Sequence, residues 1–206
     1  MIVIIDYGMG NVGSILNMLR KIQVPAAISR RSDDIYRADK LILPGVGAFD
    51  EGMANLRHFG LTSVLCEVVQ QKETPILGIC LGMQLMTRGS AEGKTEGLGW
   101  LRASTVRFED DITGRLKVPH MGWNTLTARK NSPLIRDLAE DWRFYFVHSY
   151  HVVSDCPGDV LTVTSHGQEF VSALEHGNIS CVQFHPEKSH KYGMRLLGNF
   201  AKAGRA

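Results

Sequence analysis

The sequence lacks the features that would place it in a membrane or on a nucleic acid. No stretch approaches the roughly 18 consecutive apolar residues that a membrane-spanning helix needs. The amino-terminal Met1-Ile2-Val3-Ile4-Ile5-Asp6 has no basic flank and meets an acid too early for a secretory signal. No Lys/Arg run is longer than Arg30-Arg31 and the net charge is only +2, which argues against a nucleic-acid partner. The four cysteines, Cys66, Cys80, Cys156 and Cys181, have neither metal-ligand nor disulfide-framework spacing. A reduced, cytoplasmic setting with free thiols and no metal or other cofactor is therefore expected. Linkers, repeats and low-complexity tracts are missing too, so residues 1–206 read as one domain.

What is present is an ordinary globular composition, 44% hydrophobic and 21% charged, which favours small-molecule chemistry. Three short apolar runs, Ile2–Ile5, Lys40–Leu43 and 75–79, predict strands. Between them, Ile15, Leu16, Leu19 and Ile22 recur at helical spacing, and a second helical stretch runs from about Phe49 to Gln71 with a break near Gly60. Nearly all-apolar strands alternating with helices predict an α/β, flavodoxin-like fold whose mostly parallel sheet carries helices on both faces. Segments 143–147, 160–163 and 179–184 predict further strands joined by short turns, hence some added antiparallel pairing, and a final helix is expected over 192–202. Ligands in such sheets bind at the carboxyl ends of the strands. The Gly-rich segments 44–47 and 78–82 both fall there.

Gly78-Ile79-Cys80-Leu81-Gly82 follows the third strand and precedes a short helix around Met83–Met86. Its spacing is that of a G-x-S-x-G nucleophile elbow with sulfur in place of the hydroxyl. Small residues two positions either side let the chain double back, which projects Cys80 from the top of the sheet. The turn also aims the Leu81 N–H at an oxyanion, and a helix start favours a thiolate. The bland alternative is a buried cysteine in a glycine-rich bend. Cys66, on an apolar helical face, and Cys181, within a strand, fit that description, and Cys156 reads as a turn residue.

A cysteine nucleophile needs a base. Of eight histidines, His185 directly follows a strand, is held extended by Pro186 and has Glu187 two residues on. His148 also closes a strand and is a rival. A third reading makes 185–189 a mere lead-in to the last helix, with Ser189 as its cap.

These residues, with Asp6–Asn11, 43–49, 78–84, 119–124, 145–150 and 183–189, resemble the class I (triad) glutamine amidotransferases nearly end to end. The likeness is strongest to the branch that forms the glutaminase subunit of imidazole glycerol phosphate synthases. It implies a triad of Cys80, His185 and Glu187 that hydrolyses L-glutamine through a glutamyl thioester. It implies an oxyanion hole from Leu81 and, after a peptide flip in the 44–47 loop, Val46. It assigns glutamine binding to Gly47, Gln84, Glu92, Ser149 and Tyr150. The partner would be a cyclase/synthase subunit forming imidazole glycerol phosphate and AICAR in histidine biosynthesis, bound as a heterodimer and supplied with ammonia. His120, Met121, Trp123, Asn124, Tyr145 and Lys188 would face it; Met121 and Trp123 are in any case odd in a surface loop unless something covers them.

The tail His190-Lys191-Tyr192-Gly193-Met194 and the segment 13–19 also resemble a paralogous branch, whose members supply ammonia for nucleotide-sugar amidation in surface-polysaccharide biosynthesis. Two other classes stay open: a stand-alone thiol hydrolase, and a silent regulatory subunit, against which the intact triad residues argue.

Overall fold

In the computed structural model, residues 1–109, 117–137 and 142–204 are described. The apolar tetrapeptides form the centre of a sheet. β1 (Ile2–Ile5), β3 (Lys40–Leu43) and β4 (Ile76–Ile79) are buried along their whole length, while β2 (Ala26–Ser29) is half-buried at the sheet edge. β2 was not expected, because Ala26-Ala27-Ile28 is a short apolar run with little β-branching; backbone pairing to β1 places it.

Successive residues of a strand point to opposite faces, so each buried strand feeds two cores. Ile2, Ile4, Ile42 and Leu77 pack against α1 (Val12–Lys21) and α6 (His190–Lys202) through Ile15, Leu19, Leu196 and Phe200. Val3, Ile5, Leu41 and Ile76 pack on the other face against α2 (Ser32–Tyr36), α3 (Phe49–His58) and α4 (Leu61–Cys66). The expected break falls at Gly60, whose φ of 67° separates α3 from α4. One expectation fails here: Cys66 is exposed, because Leu61, Val64 and Leu65 form the buried face of α4 and Cys66 lies one position past it.

The second half adds β5 (Ala103–Arg107), β6 (His120–Thr125), β7 (Thr127–Ala128), β8 (Arg143–His148), β9 (Tyr150–Ser154), β10 (Val160–His166), β11 (Gln168–His176) and β12 (Ile179–Val182). The main sheet runs β2-β1-β3-β4-β12-β11-β10-β7, with β9 joined to β11 and β5. It is parallel from β2 to β12 and antiparallel beyond. The first five strands thus have the flavodoxin-like order, and the fold is α/β with added antiparallel strands. Segment 119–124, expected as a surface loop, is instead mostly strand β6, paired with β8 in a separate two-stranded ribbon. The last helix begins at His190, two residues before its expected start.

β3, β4 and β12 are neighbours in register, with Leu43 opposite Gly78 and Ile79 opposite Val182. The 44–47 loop, Cys80 and Gln183–Glu187 therefore leave the sheet side by side. Among the described residues no helix is long and apolar enough to cross a membrane, and no His/Cys/Asp/Glu group is arranged to hold a metal ion.

Candidate active site

Cys80 joins β4 to α5 (Leu81–Leu85) with φ 53° and ψ −109°. A non-glycine residue in that region is strained and persists only where its surroundings hold it. Here the Cys80 N–H donates to Val182 O at 2.8 Å, and its carbonyl accepts from Gln84 N–H. Two glycines make the turn possible by close approach. A Cβ on Gly82 would lie 1.9 Å from Leu43 O, and one on Gly45 would lie 2.5 Å from the Tyr7 hydroxyl and 2.7 Å from the Leu81 Cβ. The 44–47 loop thus rests directly on the elbow. Buried Tyr7 holds it there by donating to Pro44 O at 2.6 Å. Val46 itself is exposed.

His185 is 1% exposed, and its Nδ1 lies 2.8 Å from Glu187 Oε1. Burial alone would strip the proton from this imidazole. The negative charge on Cys80, its hydrogen-bonding pull and then Glu187 outweigh that effect and raise the His185 pKa to about 10. Nε2 is buried without an aligned hydrogen bond, so the sulfur acts on it chiefly through charge. The loop carrying the pair is braced at both ends. His185 N–H donates to Tyr145 O at 2.9 Å, and the Ser189 hydroxyl donates to His185 O at 2.6 Å while accepting from Tyr145 N–H. Ser189 is thus a brace, with no side-chain capping bond to α6. A concavity of about 580 Å³ beside Pro133–Ile135 contains none of these groups. Glu187 instead lines a groove of about 330 Å³ between α1 and the start of α6.

His148, the rival base, is engaged elsewhere. It sits 6% exposed in a second array, directly opposite His120 in the β6–β8 ribbon. Carbonyl oxygens, which can only accept, orient that array once both rings are neutral. His148 Nδ1 meets Tyr150 O at 2.7 Å and so carries hydrogen. Its Nε2 therefore accepts from His120 Nδ1 at 3.1 Å, and His120 Nε2 accepts from Asn124 Nδ2 at 3.2 Å. Asn124 Nδ2 also donates to Ser165 O. Both rings must be neutral for this pattern. Burial keeps them so, pushing His148 down to about 3 and His120 to about 4, with His166 adding to the effect on His120. His120, expected to face a partner, points inward; its strand neighbours Met121 and Trp123 point out, 61% and 46% exposed.

This arrangement sets a pH dependence. His120 and His148 have folded pKa values below the ordinary 6.5. Their contribution is complete above about pH 6.5 and is lost as pH falls toward 4 and 3, because the unfolded chain then binds protons the folded one refuses. At pH 5 the loss is on the order of 3–4 kcal/mol for the two rings. His185 has the opposite sign: its contribution is complete below about 6.5 and is lost as pH rises through about 10. Melting curves at pH 5, 7 and 9.5 should show the highest midpoint at pH 7; equal midpoints at pH 5 and 7 would contradict the neutral-ring arrangement.

The Tyr150 carbonyl also accepts from Gln84 Nε2 at 3.1 Å. Glu92 is more than a solvated loop acid, since its Oε2 accepts from the first N–H of α3, Phe49, at 2.9 Å. Cys80, His185, Glu187, Gln84, Tyr150 and the 44–47 loop thus gather at one end of the sheet. Met121, Trp123, Tyr145 and Lys188 form a plate beside it, with Lys188 Nζ 5.7 Å from the Tyr145 ring centroid. His190, missed in the sequence, joins that plate by stacking on Trp123 at 5.6 Å and 9°.

A family model, glutamine amidotransferase class-I, matches residues 3–203. The chain belongs to the class I glutamine amidotransferases. Similar relatives include imidazole glycerol phosphate synthase subunit HisH 2 of Methanococcus maripaludis, 52% identical over 98% of this chain and 99% of that protein. The HisH 2 subunit of Pseudomonas aeruginosa is 50% identical over 98% and 99%, and the HisH subunit of Bdellovibrio bacteriovorus 42% identical over 98% and 100%. In fold, this amidotransferase resembles the structure of PurLQS from Thermotoga maritima (TM-score 0.73, 16% identity, 97% of this chain and 96% of that one). It also resembles the glutaminase domain of Trypanosoma brucei CTPS with bound acivicin (TM-score 0.65, 16% identity, 100% and 95%).

Proposed function

We propose that this amidotransferase is the glutaminase subunit of an imidazole glycerol phosphate synthase, hydrolysing L-glutamine and passing ammonia to a cyclase subunit bound as a heterodimer. The observation that carries the chemistry is the strained cysteine beside a buried His185–Glu187 pair. The relatives named above support the assembly. One catalytic domain over 1–206 accounts for the site, since strands from both halves share one sheet.

In this reading the Cys80 proton passes to His185, and the thiolate attacks the side-chain amide carbon of glutamine. The resulting oxyanion is held by the N–H of Leu81 and, when the loop turns, that of Val46. His185 returns the proton to the departing nitrogen, so ammonia leaves as the C–N bond breaks and a glutamyl thioester remains. Water, deprotonated by His185, splits the thioester; glutamate and the free thiol result. Gln84 spends both N–H groups on protein acceptors, so its oxygen is left to meet the substrate ammonium. Gly47, Glu92, Ser149 and Tyr150 complete the proposed glutamine pocket. Asn124 and inward-facing His120 reach the partner side only through the strand that displays Met121 and Trp123.

The test is glutamate release by the purified chain with and without candidate synthases. Strong stimulation by an imidazole glycerol phosphate cyclase is expected, and Trp123→Ala should weaken that stimulation about 10-fold or more at limiting cyclase, as for an aromatic anchor at an interface. Stimulation solely by a sugar-amidating synthase would move the ammonia to that acceptor and leave the glutaminase chemistry in place.

A further inference from the structure

Gln183 is fully buried, lies outside the triad, and has its side-chain Nε2 3.6 Å from Cys80 Sγ. Its backbone continues from β12, the strand beside the one that ends in Cys80, and its N–H donates to Ser172 O at 2.9 Å. The orientation of its amide follows from a chain of groups that cannot exchange roles. Tyr150 O accepts and never donates, so the Gln84 atom facing it is the NH2 group. That same NH2 lies 3.1 Å from the Gln183 side chain, which must present oxygen to it. The Gln183 NH2 is thereby turned onto the sulfur.

A donor locked on a sulfur discriminates between its two states. A thiol is a poor acceptor, whereas a thiolate accepts strongly. We infer that Gln183 is a catalytic residue of the glutaminase reaction: its N–H stabilises the Cys80 thiolate and fixes the direction from which the sulfur meets the substrate, and Gln84 is the positioning residue that holds the amide in that sense. The inference rests on Cys80 as the nucleophile. It gives the oxygen and the nitrogen of Gln84 separate duties, one toward the substrate and one toward Gln183.

The experiment follows thiolate formation at Cys80 directly. Alkylation by iodoacetamide is measured against pH by mass spectrometry of the Cys80 peptide, in a Cys66→Ser, Cys156→Ser background that removes the accessible competing thiols. Gln183→Met keeps length and burial while deleting the donor. It should move the alkylation midpoint upward by about one pH unit or more and lower kcat with the stimulating partner about 10- to 100-fold, the usual worth of a hydrogen bond to a charged group. KM for glutamine should change little. Gln84→Met, which frees the Gln183 amide to turn, should give a smaller upward shift together with a raised KM, and it carries the test if Gln183→Met does not fold. An unchanged midpoint in the folded variants, with Cys80→Ala inactive, overturns the role of Gln183 alone. Retained turnover in Cys80→Ala overturns the nucleophile and this inference with it.

Discussion

Cys80→Ala is expected to fold and to lose glutamine hydrolysis by a factor of at least about 10⁴, the scale on which removing a covalent nucleophile acts. The reason is specific to this site. His185, raised to about 10, is a proton store whose affinity depends on the negative charge next to it. Without the sulfur, burial is the largest remaining influence on the ring. Cys80→Ser should be nearly as inactive, because a hydroxyl ionises far less readily than a thiol beside the same base. Glutamate release in the presence of the stimulating partner reads both variants; more than about 1% of parental activity in Cys80→Ala would be incompatible with a covalent mechanism. Cys80→Gly separates chemistry from strain. It should be equally inactive yet melt at a higher temperature than Cys80→Ala, since glycine takes φ 53° and ψ −109° at little cost and alanine does not.

The centre of the parallel half, β1, β3 and β4, was legible because strands buried on both faces are nearly all apolar, and Ile2–Ile5, 41–43 and Ile76–Ile79 are. The elbow was legible for the related reason that a turn so tight admits few residue types. The antiparallel half was harder. β9 and β11 alternate or mix polar and apolar residues, and β6 reads His-Met-Gly-Trp-Asn-Thr. Its period of two is visible afterwards, with His120 and Asn124 turned in and Met121 and Trp123 out, but Pro119 and Gly122 disguise it as a loop. The histidine array could not be read at all from spacing. His120 and His148 are 28 positions apart and meet because β6 and β8 pair in one register. Gln183 stood in a quoted motif without a role; its meaning depends on the atom facing Gln84, which no spacing reveals.

Gly82→Ala should be among the most damaging single methyl groups that can be added near the site. The new Cβ would lie 1.9 Å from the carbonyl oxygen of Leu43 and 2.9 Å from its carbon, and both atoms belong to backbone at the end of β3. Neither can swing aside as a side-chain tip would. Relief requires the elbow and the end of β3 to separate, and the 44–47 loop hangs from that end, clamped by Tyr7. Overpacking against an immobile neighbour costs about 3 kcal/mol or more. The same displacement moves the 44–47 loop away from Cys80, so activity should fall further than the loss of stability explains, by about 10² or more if an oxyanion donor is lost. Urea denaturation and partner-stimulated glutaminase assays on Gly82→Ala, beside Gly158→Ala, read the two effects. Gly158 has nothing within 4 Å of an added Cβ and should tolerate alanine within about 1 kcal/mol. A Gly82→Ala protein as stable and as active as the Gly158→Ala control would show that the contact between the elbow and the 44–47 loop is not what holds the site together.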